Sequence, residues 1–152
     1  MMLVYRISSV QYVQDLSGTG AKINGARWNQ VNYPAVYTAE NRSLAALEIL
    51  VHSDMESIMA KKMEIISIEI PDEPSLFIEF EERNLEADWE RNELYTQGLG
   101  THLLSNQKIL AFKVPSVIIP EEKNIIINPL HAAMDRVRII GSRPFAFDKR
   151  LF

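Results

Sequence analysis

The chain has 152 residues, 47% hydrophobic and 24% charged, a composition that suits one folded domain and argues against a disordered chain. Its 20 acidic residues outnumber 16 basic ones for a formal net charge of −4, which speaks against direct nucleic-acid binding. Cysteine is absent, so disulfides, thiolate metal sites and cysteine nucleophiles are removed together, as suits a reducing compartment.

Met1 to Arg6 carries no basic leader followed by an apolar core, and no run approaches the ~18 apolar residues of a membrane span. The expectation is a cytoplasmic protein with no membrane association. Leu3–Ile7 reads as an opening strand. Ser17–Gly25 holds three of the six glycines and reads as loop or turn. It lacks the Gly-Lys-Ser/Thr of a Walker loop and the GxGxxG of a dinucleotide fold, so a phosphate-cradling role is the weaker reading.

After Pro34, Ala35–Thr38 is a β-type run. Asn41 or Ser43 can cap a helix reaching about to His52, on which Leu44, Leu47 and Val51 recur at helical spacing and are expected to face the core. Glu48 and His52 then share one side of that helix, beside the apolar stripe. Met63–Ile70 alternates with period two and predicts a half-buried strand ending at Pro71.

Phe77–Gln97 is acidic. Its second half, with Trp89, is read as a helix with a solvated face, and Gly98–Asn106 as another short helix. Ile109–Val114, Ser116–Ile119, Asn124–Ile127, Arg136–Ile140 and Pro144–Phe147 read as strands broken by Pro115, Pro120, Pro129 and Gly141-Ser142. Strands and helices mix without βαβ alternation, so the predicted class is α+β, a single domain over residues 1–152.

Chemistry is suggested at four places. Arg27 follows the glycine loop, Tyr37 lies in the next strand, Glu48 interrupts the apolar run Leu44–Val51, and Ser116 follows Pro115. A carboxylate in an apolar run is costly to bury without a partner. Each residue also has an ordinary explanation: a surface arginine, a core tyrosine, a solvent-facing glutamate, a turn serine. Spacing alone does not join them into a site.

Their wider context does resemble a known family. The segments are Tyr5-Arg6, Gly25-Ala26-Arg27-Trp28-Asn29, Val36-Tyr37-Thr38-Ala39-Glu40 and Ala46-Leu47-Glu48-Ile49-Leu50-Val51-His52. There follow Val114-Pro115-Ser116-Val117-Ile118-Ile119-Pro120, Asn128-Pro129-Leu130-His131 and Pro144–Leu151. In this order, over nearly the whole chain, they resemble the RES domain, the toxin half of a bacterial toxin–antitoxin pair.

The resemblance implies a fold similar to ADP-ribosyltransferase toxins, arranged around an NAD-binding cleft. It also implies cleavage of the nicotinamide–ribose bond of NAD⁺, which is substrate rather than cofactor, with no metal. It places the family's Arg, Tyr, Glu and Ser on Arg27, Tyr37, Glu48 and Ser116, and its partner is a helix-turn-helix antitoxin that blocks the active site.

With that reading, Glu48 would stabilise the ribosyl cation, Arg27 would hold the diphosphate, and Tyr37 would face the nicotinamide. Ser116 would either bind the ribose or orient Glu48. Arg6 offers a second phosphate contact or a structural salt bridge, whereas His52 and His131 are read as structural.

The chain departs from the family pattern at three points. Asn32 replaces a common glycine, His102 lies near an expected tryptophan, and Ala132 replaces a frequent proline. The acceptor of the ADP-ribose unit, whether phosphate, water or a protein side chain, is left open, with phosphate or water favoured. The alternatives are a protein ADP-ribosyltransferase and a non-catalytic nucleotide- or antitoxin-binding module.

Overall fold

The computed structural model describes residues Met1–Phe152, and its core is one seven-stranded sheet. The strands are β1 (Met2–Ser9), β2 (Val36–Ala39), β3 (Met63–Ile70), β4 (Phe77–Glu79), β5 (Ala111–Pro115), β6 (Lys123–Ile127) and β7 (Arg138–Phe145). They lie in the order β4-β5-β6-β2-β1-β3-β7, antiparallel except for β4 with β5. Four helices accompany them: α1 (Thr19–Asn24), α2 (Arg42–His52), α3 (Met55–Ala60) and α4 (Glu93–Asn106). The expected mixed α and β class is observed.

Alternation along the strands gives the sheet two apolar faces. One face gathers Val4, Val36, Ile66, Ile68, Ile70, Ile125 and Ile127 with Leu110 and Val137. The other carries two separate clusters. Trp28, Trp89, Leu103, Leu104, Phe112 and Ile126 form the first, under α4. Ile7, Ala39, Leu44, Ala45, Met63 and Ile65 form the second, under α2. Met63–Ile70 has the predicted bounds but is more than half-buried, because Ile65 and Ile66 point to opposite faces and both are covered.

The break that matters lies between β1 and β2. They pair only at Tyr5 with Ala39, and beyond that point the sheet opens. Arg6, Ile7 and Ser8 of one strand and Val36, Tyr37 and Thr38 of the other line a shared cleft. Cluster members from both sides, Trp28 and Ile126 as well as Ala39 and Ala45, line it too.

Several expectations are corrected. Ser17–Gly25 contains helix α1 as well as turns; Gly18 starts it at φ +71°, where a Cβ would lie 2.6 Å from the Ala35 nitrogen. α2 is capped by Asn41, whose side chain accepts from Leu44 N–H at 2.7 Å. Its buried residues are Leu44 and Ala45, however, and Val51 is 61% exposed at the cleft, because α2 leans on β1 and β2 through its first turns.

Trp89 sits in a separate 3-10 turn (Trp89–Arg91), and one continuous α4 replaces the two helices expected through residue 106. Gly98 does not start a helix; it lies inside α4. Ser116–Ile119 is a turn, not a strand, since the Ser116 hydroxyl takes the Ile118 and Ile119 N–H groups that a ladder would use. Arg138–Phe145 is a single strand across Gly141-Ser142, absorbed by a register shift opposite Ser67 and Ile68. No helix is long and apolar enough to cross a membrane.

Candidate active site

The cleft holds about 920 Å³, within the usual range for a small-molecule site. The structure brings Arg27, Tyr37, Glu48 and Arg6 to it, and Ser116 reaches it through Glu48 alone.

Arg27 is set by the loop between α1 and β2. Trp28 anchors that loop in the core, 6.0 Å from Trp89 and 6.3 Å from Phe112 between ring centroids. Asn29 is fully buried; its Nδ2 donates to the Ala21 and Tyr33 carbonyls at 2.8 and 2.9 Å. Helix α4 fastens the other side, with Thr96 Oγ1 donating to the Arg27 carbonyl at 2.7 Å and Gln97 Nε2 to the Ala26 carbonyl at 2.9 Å. Gly100 lets the two backbones meet: a Cβ there would overlap the Trp28 carbonyl oxygen. The Arg27 guanidinium donates through Nη1 to the Glu90 carbonyl at 3.1 Å.

Tyr37 is tied to the same loop. Its hydroxyl accepts from Trp28 N–H at 2.9 Å and donates to Asn29 Oδ1 at 2.7 Å. Burial pushes its phenol well above the ordinary value, so it stays protonated. The hydroxyl is therefore engaged by the chain itself, and the ring is what Tyr37 offers to the cleft.

Glu48 projects from the cleft side of α2. Ser116 Oγ donates to its Oε1 at 3.0 Å while accepting from Ile118 and Ile119 N–H at 3.0 and 3.2 Å. Ser116 is 0% exposed and does not line the cleft, so of the two roles open to it the geometry is that of orienting Glu48. On the other carboxylate oxygen, His52 Nε2 lies 3.4 Å from Oε2. That contact raises the His52 imidazole above its ordinary value, against the opposing effect of burial. His52, read from sequence as structural, thus belongs to the cleft.

Arg6 donates through Nη2 to the Tyr12 carbonyl at 2.9 Å, and its Nε is buried with no partner. Burial lowers its pKa, and Asp15 opposes the shift. It makes no salt bridge.

Other positions follow their residue types. His131 caps the turn after β6, its Nδ1 accepting from Ala133 N–H at 3.0 Å. Asn32 adopts φ +82°, the left-handed backbone that suits a glycine or asparagine. His102 is exposed on α4. Asn29 belongs to a segment the sequence marks, whereas Thr96 and Gly100 do not. Only Asn29, a polar residue beside a tryptophan in the Arg27 segment, carried a signal there.

Comparison with known proteins agrees with this architecture. The profile of the RES domain matches residues 3–148. The "Prs ADP-ribosylating toxin" of Sphingobium sp. (strain YBL2) is 36% identical over 140 residues, 90% of this chain and 86% of that protein. A "Toxin Res" of Photorhabdus laumondii is 32% identical, covering 99% of this chain and 97% of its own. In fold, the chain is similar to one in the M. tuberculosis MbcT-MbcA toxin-antitoxin complex, with a TM-score of 0.76 and 18% identity over 95% of this chain and 84% of that one. The match along nearly the whole length, in sequence and in relatives, shows that the chain belongs to the RES domain family.

Proposed function

We propose that this protein is the toxin of a toxin–antitoxin pair and that it breaks the nicotinamide–ribose bond of NAD⁺. The observation that carries the reading is the Glu48 carboxylate, held by a buried serine and facing a cleft lined by Arg27 and Tyr37. Breaking this bond leaves positive charge on the ribose, as in glycoside cleavage. Nicotinamide leaves neutral, so no acid is needed and one preoriented carboxylate suffices for charge stabilisation.

In this reading Glu48 accepts from the ribose hydroxyls and faces the developing cation. Arg27 presents a planar fork to the diphosphate, and Arg6, which also lines the cleft, adds a second cation for it. The Tyr37 ring stacks on nicotinamide. No cofactor beyond the substrate NAD⁺ is invoked. The reaction draws on cellular NAD⁺, which puts the protein in the cytoplasm.

Two relatives are named as toxins, and the structural neighbour is described as a toxin–antitoxin complex. These support an antitoxin partner here. We propose a helix-turn-helix protein that blocks the cleft, whose exposed apolar lining (Ile23, Val51 and Val117) favours a protein cover.

The test is purified full-length protein, freed of any partner, incubated with NAD⁺ with and without phosphate. Nicotinamide release supports the reading; ADP-ribose-1″-phosphate marks a phosphorylase and ADP-ribose a glycohydrolase. No nicotinamide under either condition refutes it. A second reading, transfer to a protein target, is favoured by the relative named as ADP-ribosylating. It predicts label passing from NAD⁺ into protein with little free turnover.

A further inference from the structure

Glu48 is contacted on both oxygens by groups of opposite exposure. Ser116, fully buried, holds Oε1 from behind. His52, one helical turn further along α2, stands against Oε2 and lines the cleft. Its side chain is 65% exposed against 24% for Glu48, so the imidazole lies on the solvent side of the carboxylate. The other charged groups facing it are Arg27 from the loop after α1 and Glu93 from the start of α4. With Nε2 turned to the carboxylate, Nδ1 is the nitrogen left to meet a ligand.

This order, hydroxyl to carboxylate to imidazole, is how a carboxylate orients a histidine and stabilises its protonated form. We propose that His52 is the base that takes the proton from a neutral hydroxyl acceptor, water or an alcohol, as it attacks C1″ of the nicotinamide ribose. The inference rests on the NAD⁺-cleaving reading above and deepens it by assigning an acceptor class.

In the step, the acceptor O–H bond breaks and its proton goes to His52 Nδ1. The O–C1″ bond forms, and the C1″–N bond breaks with its electron pair leaving on neutral nicotinamide. The sum is NAD⁺ plus ROH giving nicotinamide, the ADP-ribosyl-OR product and one proton, which the imidazolium returns to solvent. Hydrogen phosphate attacks through an oxygen already ionised and needs no such base. Geometry therefore makes His52 matter for one acceptor class and not the other.

The experiment uses the full chain and its His52→Gln variant with NAD⁺ in water, with methanol and with inorganic phosphate, resolving ADP-ribose, methyl ADP-riboside and ADP-ribose-1″-phosphate. Hydrolysis and methanolysis are expected to fall about 100-fold, the ordinary contribution of a general base. The KM for NAD⁺ and the phosphate product should change far less, by roughly twofold to threefold. Wild-type hydrolysis should rise with pH through the His52 titration, and the variant should lose that limb. Added imidazole should restore hydrolysis to His52→Ala.

Equal loss of all three products would overturn the proposal in favour of a purely orienting role. Loss of the phosphate product alone would overturn it in favour of an anion-binding role. Unchanged hydrolysis, or a wild type that makes only the phosphate product, would also overturn it. A wild type that releases no nicotinamide with any acceptor instead refutes the NAD⁺ reading itself.

Discussion

Ser116 Oγ donates to Glu48 Oε1 at 3.0 Å across 68 residues of chain, joining the turn after β5 to the middle of α2. The same hydroxyl caps two backbone N–H groups. Its position is therefore set by the turn, and the carboxylate inherits that precision.

Replacing Glu48 by glutamine keeps the side chain's shape and removes its charge. NAD⁺ cleavage should fall by about 10²–10³, the cost of losing one preoriented electrostatic group, with a far-UV CD spectrum like wild type. Full turnover by Glu48→Gln would sink the mechanism.

Ser116→Ala removes the donor to Glu48 and leaves two half-buried N–H groups without their acceptor. Stability should drop by about 1–3 kcal/mol. In steady-state assays kcat should fall more than KM rises, because Ser116 does not line the cleft.

Tyr37→Phe preserves the ring and orphans Trp28 N–H and Asn29 Oδ1. A cost of about 1–3 kcal/mol by denaturant unfolding is expected. Loosening of the Arg27 loop should raise the KM for NAD⁺. A KM unchanged in the folded variant would show that the loop holds its shape without the hydroxyl.

Gly100→Ala forces a methyl into the Trp28 carbonyl. Because the obstacle is backbone, α4 or the Arg27 loop must shift. Destabilisation of about 1–3 kcal/mol or more follows, seen as a lowered Tm, with loss of NAD⁺ cleavage alongside it.

The folded state raises the His52 pKa above its ordinary 6.5 through Glu48, so folding favours the protonated imidazole. Its contribution to stability is fully present below pH 6.5 and is lost as pH rises through the raised folded value. Side-chain NMR should find His52 titrating above 6.5 in wild type and lower in Glu48→Gln. A titration unmoved by that substitution would contradict the pairing.

What the sequence determined by itself was local and compositional. Period-two alternation marked β3 to the residue, Asn41 or Ser43 announced the start of α2, and ordered motifs around Arg27, Tyr37, Glu48 and Ser116 pointed to the RES family. Such signals are short-range: a strand's pleat, a cap's hydrogen bond and a motif's order all survive in one dimension. The partner of each functional group did not.

Glu48 and Ser116 meet only because α2 and the turn after β5 pack together, and Tyr37 grips the Arg27 loop only because β2 runs beneath it. Val51 turned to the cleft rather than the core because the lean of α2 against β1 and β2, not its helical period, chose the buried face. The opening between β1 and β2 likewise has no sequence mark. It arises where two strands stop pairing after one residue, a decision made by what packs on either side.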